Sequence, residues 1–139
     1  MKYSIIAALL VAACMYSCTK SGKEVTGNVP ATLVGKWNYT AYYMSIGGPG
    51  TWQPANEQNK WIEFNTDGSV SSNLSPFNKA IGYRLTDSVH VQFITPVISD
   101  SSLYYFFKID TIQGLVTLSP ARLICIEGCA QQFTRQHGK

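Results

Sequence analysis

Leu33-Val34-Gly35-Lys36-Trp37-Asn38-Tyr39-Thr40-Ala41-Tyr42-Tyr43-Met44-Ser45-Ile46 decides the fold class. Its residues alternate with a period of two, which predicts one long strand with Trp37, Tyr39, Ala41 and Tyr43 on one face. Lys36, Asn38, Thr40 and Tyr42 then occupy the other. The same rhythm returns downstream in shorter runs. Residues 60–65 set Ile62 and Phe64 against Trp61 and Glu63. Thr66-Asp67-Gly68-Ser69 follows as a hairpin turn, because Asp-Gly accepts the positive φ that tight turns need, and 70–74 returns from it. Residues 80–86 and 88–95 pair around Asp87-Ser88, with Val89, Val91 and Phe93 sharing a face against His90 and Gln92. Residues 103–110 alternate Leu103, Tyr105, Phe107 and Ile109 against Tyr104, Phe106, Lys108 and Asp110. A turn at Gln113-Gly114 leads to 115–119, and 123–126 and 130–136 close the chain around Glu127-Gly128. The Gly- and Pro-rich stretch 47–56 reads as a loop, as does 96–102. No stretch carries a sustained helical pattern with caps. The expected fold is all-β: a small antiparallel up-and-down meander barrel, because long crossover segments are nearly absent.

Composition agrees with strands. The chain has 139 residues, room for one domain and hardly for two, and six of its eight tyrosines lie beyond residue 30. At 45% hydrophobic and 14% charged it is too apolar for a disordered tail. A net charge of +3, scattered along the chain, is no nucleic-acid footprint.

The N-terminus reads as an export signal. Lys2 is a minimal positive region, Ile5 to Ala13 is a short apolar core, and small residues and cysteines follow. The run is too short to span a bilayer as a stable helix. Its end resembles the bacterial lipobox, in which a cysteine is lipidated and becomes the new N-terminus. Val11-Ala12-Ala13-Cys14 fits the general form, whereas Ser17-Cys18-Thr19-Lys20 resembles the looser form common in Bacteroidota lipoproteins. Cysteine parity favours Cys18 over Cys14: cleavage before Cys18 discards Cys14 and leaves Cys125 and Cys129 as an even pair. The expected organisation is a signal peptide over 1–17, a lipidated cysteine and polar tether over 18–32, and a barrel domain over 33–139. The partner implied is a membrane, reached through a lipid anchor, with the outer membrane as the expected location and its face open.

Catalytic chemistry finds little support. His90 sits on the polar face of a strand and His137 in the tail, neither with a cysteine or carboxylate at ligand spacing. Both read as solvent-facing. Cys125 and Cys129 could be half a zinc site, but no second pair complements them, and in an exported chain a local disulfide is the stronger reading. Glu63 and Glu127 have no partner carboxylate. No nucleophile elbow, P-loop or dinucleotide fingerprint occurs. The chain is expected to be no enzyme, with no cofactor and no metal. Trp52, in the Gly/Pro stretch, is either a plug folded over a barrel end, the favoured reading, or an exposed anchor for a ligand or partner.

Leu33-Val34-Gly35-Lys36-Trp37 resembles the Gly-x-Trp signature that opens lipocalins and related calycin barrels. With the 47–54 loop, Ile62-Glu63-Phe64, Asp67-Gly68, Cys125 to Cys129 and Phe133-Thr134-Arg135, residues 33–135 look similar to the short lipocalin-like domains of Bacteroidota lipoproteins. The resemblance implies that Gly35, Trp37 and a basic residue of the last strand close one barrel end. Arg135 fills that place by position, with Arg122 as runner-up. It also implies a monomeric carrier of a small apolar or amphipathic ligand, held in or at the mouth of the barrel. Trp52, Tyr39, Tyr43, Phe64, Phe93 and Tyr105 are then the candidate contacts, and the 47–59 loop guards the mouth. The alternative is a structural or protein-interaction lipoprotein of the cell envelope, whose aromatic side chains fill the barrel.

Overall fold

A computed structural model describes residues 30, 32–45, 47–96, 103–122 and 129–136. Among the described residues, nine strands make one antiparallel sheet: β1 (Gly35–Met44), β2 (Thr51–Pro54), β3 (Trp61–Phe64), β4 (Val70–Ser72), β5 (Gly82–Leu85), β6 (His90–Ile94), β7 (Tyr104–Asp110), β8 (Leu115–Pro120) and β9 (Gln131–Arg135). The sheet order is β4-β3-β1-β9-β8-β7-β6-β5, with β2 beside β1. The two outer strands meet through a bridge between Ser69 and Gly82 and a bond from the Tyr83 N–H to the Gly68 carbonyl at 2.9 Å. Apart from β2 and β3, which both lie along β1, each strand therefore neighbours the next in sequence, in a small, nearly closed up-and-down barrel. No α-helix occurs among the described residues; a 3-10 turn spans Phe77–Lys79. The signal, all of the tether but Pro30 and Thr32, both N-terminal cysteines and the expected 123–126 strand lie outside the described residues.

The long strand departs from simple alternation midway. Against β9, Tyr39 faces Phe133 but Ala41 faces Gln132, so Thr40 is an extra residue, a β-bulge. Beyond it the faces exchange. Tyr42 packs against the core, while Ala41 and Tyr43, expected inside, are carried to the outer face.

The 47–56 stretch is not all loop. Thr51–Pro54 pairs with the second half of β1, Tyr43 opposite Trp52, and β3 pairs with the first half. Thus β2 and β3 share one edge of β1 as an interrupted strand. Pro54 is tolerated because it ends β2 and no described strand pairs with the far edge, where its missing N–H would be needed. A Cβ at Gly50 would collide with the Tyr43 ring, which explains a glycine at the close of this hairpin.

At the Asp-Gly hairpin, Gly68 has φ +79° and its N–H reaches the Asn65 carbonyl. Asp67 accepts from the Ser69 N–H and hydroxyl at 2.8 and 2.6 Å, which holds its carboxyl below the usual range. Val89 lies just before β6 and is exposed, unlike Val91 and Phe93.

The interior is dominated by rings. Trp37, Phe64, Phe77, Tyr83 and Phe133 are all fully buried. Phe77 belongs to the connection between β4 and β5. Its ring lies 4.9 Å from Phe93 on β6, 5.1 Å from Tyr105 on β7 and 6.3 Å from Phe133 on β9. Replacing Phe77 with Ala should cost about 3–5 kcal/mol in denaturant unfolding. Ile112→Ser, at a side chain 97% exposed, should stay within about 0.5 kcal/mol.

Tyr83 donates its hydroxyl to the Asn65 carbonyl at 2.9 Å, and burial pushes its pKa up to about 12. Its contribution to stability is complete below pH 10, the ordinary phenol value, and is lost as the pH rises through about 12. A Tyr83→Phe variant should lack this alkaline loss, and an ultraviolet titration of the native protein should show one tyrosine resisting ionisation that the variant does not have.

Candidate functional site

One barrel end is built on β1 and β9. Trp37 lies opposite Arg135 in the register, and the Arg135 guanidinium carbon sits 4.9 Å from the centre of the indole ring. One guanidinium nitrogen, Nη2, donates to the Thr32 carbonyl at 2.7 Å and to the Val34 carbonyl at 2.8 Å. The indole Nε1–H donates to the Leu33 carbonyl at 2.8 Å. Gly35 has φ +129°, which turns the chain into β1, and a Cβ there would come within 3.9 Å of the guanidinium. Arg122 is elsewhere, 4.9 Å from the Tyr104 ring.

Beside this clasp opens a cleft of about 290 Å³, lined by Thr32, Trp37, Ile109, Asp110, Thr111, Gly114 and Arg135. Asp110 accepts the Ile112 and Gln113 N–H groups on Oδ1 at 3.0 and 2.9 Å and so shapes the β7–β8 turn. Although Asp110 and Arg135 both line the cleft, they form no ion pair.

The other end is occupied by Phe77. Among the expected ligand contacts, Tyr39 packs 5.6 Å from Phe133, Phe64 packs 4.9 Å from Tyr83, and Phe93 and Tyr105 meet each other as well as Phe77. These four are brought together, yet against other rings. Tyr43 and Trp52 are apart from them, paired edge-on at 5.4 Å on the outer face, with Trp52 43% exposed. Trp52 is a strand residue and plugs no barrel end. The 73–81 segment supplies the Phe77 ring at the other end, and Ala55 of the 47–59 stretch packs against the core. Phe77 escaped the periodicity because it is a lone aromatic behind Ser75-Pro76, in a stretch with no alternation to assign it a side.

His90 is not simply solvent-facing. Its ring is stacked on Tyr104 (5.2 Å, 11°) and tilted against Phe106 at 4.3 Å, and Nδ1 lies 2.6 Å from Asp87 Oδ2. The carboxylate missed in the sequence is three residues away, brought round by the β5–β6 turn. The Val89 backbone bond is the largest cause holding the Asp87 carboxyl below its usual range. Glu63 lies across from Lys36, whose Nζ sits 4.1 Å above the Trp61 ring.

Among the described residues no polar or charged side chain is buried, and no three His, Cys, Asp or Glu side chains gather as metal ligands. Cys129 is exposed just before β9, whereas Cys125, Glu127 and His137 lie outside the described residues. No known protein family, curated protein or solved structure matches the chain.

Arg135→Lys keeps the charge but loses the flat fork that lies on Trp37 while reaching two carbonyls. It should lower stability by about 1–3 kcal/mol. Arg122→Lys, an exposed stack, should cost about 0.5 kcal/mol or less in the same urea titration.

Proposed function

We propose that the protein is a non-catalytic, lipocalin-like lipoprotein of the cell envelope, anchored through Cys18 and binding a small amphipathic ligand at a barrel end rather than along the axis. The observation that carries this reading is the Phe77 ring. It touches Phe93, Tyr105 and Phe133, on walls that lie three strands apart in the sheet order. A chain-like apolar ligand would have to displace it, at the cost of the contacts that hold the core. Open space lies instead at the Trp37–Arg135 end.

Support for the lipocalin likeness comes from the next-neighbour barrel and from the Arg135–Trp37 stack at the end where β1 begins and β9 finishes. The anchor rests on the sequence before Thr19. A local Cys125–Cys129 disulfide suits the place of Cys129 immediately before the closing strand, where it would fix the approach to β9.

A second reading is favoured by the outer wall of β5–β7. Ile81, Val89, Ile94 and Phe106 are all exposed there or at its rims, which suits a protein-interaction lipoprotein. Mass spectrometry of the natively purified protein, with quenching of tryptophan fluorescence by apolar probes, tests the filled barrel common to both readings. No long-chain lipid should co-purify, and any quenching by a small apolar probe should be confined to Trp37 beside the cleft and to the exposed Trp52. A stoichiometric fatty acid or phospholipid would overturn it.

A further inference from the structure

We propose that the cleft beside Trp37 and Arg135 binds a free α-amino acid with an apolar side chain. This rests on the reading of ligand binding at a barrel end and names the ligand's chemistry.

The cleft has about 290 Å³, room for one such molecule and not for a lipid chain. Its charged residues are one of each sign, and neither is neutralised. Arg135 spends Nη2 on two backbone carbonyls, while its other guanidinium nitrogens make no hydrogen bond within the described residues. Asp110 spends Oδ1 on two turn N–H groups, and Oδ2 has no partner among those residues. The two side chains do not satisfy each other, since no ion pair joins them. Ile109 and Trp37 supply apolar lining.

Three simpler ligands fit this charge pattern badly. A plain anion would meet Asp110, a plain cation would meet Arg135, and a neutral apolar molecule would strip water from both charges without replacing it. A zwitterion satisfies both. Its carboxylate is held by the planar guanidinium, its ammonium by the free carboxylate oxygen, and its side chain lies against Ile109. Arg135 is already fixed by its two carbonyls and the indole, and Asp110 by the turn, so little ordering is needed on binding.

The test uses L-leucine as the probe, with N-acetyl-L-leucine and L-leucinamide as analogues lacking one charge each. Calorimetry of the purified protein should show saturable binding of leucine, with each analogue at least about tenfold weaker, the loss of one charge-assisted bond. In nitrogen-edited spectra the Trp37 indole N–H should shift with leucine and that of Trp52 should not. Asp110→Asn keeps an oxygen for the two turn N–H groups. It should therefore fold, weaken leucine about tenfold, and no longer distinguish leucine from its N-acetyl form. No leucine binding at millimolar concentration, equal binding of all three probes, or binding indifferent to Asp110→Asn would overturn the assignment. A lipid found inside the barrel would overturn the end-binding reading itself, whereas an empty barrel that ignores leucine would overturn only this cleft.

Discussion

Arg135 donates from one nitrogen to the Thr32 and Val34 carbonyls while its guanidinium lies over Trp37, and the indole N–H reaches back to Leu33. This contact joins positions about a hundred residues apart and sits where β9 meets β1. Without that seam the sheet has two long open edges and a core exposed along one side. Closing so large a loop is costly in chain entropy, and the seam offsets the cost with backbone pairing, buried rings and a guanidinium engaged on both its plane and its edge. Gly35 belongs to the same device, since its positive φ brings the incoming chain under the guanidinium.

A barrel sealed at that end and filled by Phe77 at the other has little freedom left inside. Aromatic pairs extend across its interior, and a small barrel is just wide enough for side chains or for one small ligand. Here the side chains take the space. Polar and charged groups lie at the rims and outer walls, where rings such as Phe106 and Trp52 reach solvent.

Much of the barrel is legible in period two. Ile62 and Phe64, Val91 and Phe93, and Leu103, Tyr105 and Phe107 turn inward as their alternation requires. What alternation cannot show is a change of phase. The bulge at Thr40 exchanges the faces of everything after it, so Tyr42 enters the core in place of Tyr43. Pro54 and three nearby glycines masked β2, because breaker residues are tolerated at the end and unpaired edge of a strand.

The site was legible in part. Gly35, Trp37 and Arg135 stood out as a motif, whereas Asp110 looked like one more outward strand residue. Its place at the cleft depends on how the β7–β8 turn sits beside β9, a tertiary fact with no local signature. The pairing of His90 with Asp87 was hidden for a similar reason: three residues of turn bring them to 2.6 Å, a separation that strand alternation does not address.

The dependence of the whole barrel on the β1–β9 seam is tested most directly by hydrogen exchange at the tryptophan indoles. The Trp37 N–H, bonded to Leu33 beneath Arg135, should exchange only on global unfolding, with a protection free energy equal to the unfolding free energy. The Trp52 indole, on the exposed outer face, should exchange far faster. If Trp37 exchanges as readily as Trp52 in the native protein, that end of the barrel opens independently and the seam is not what holds the fold.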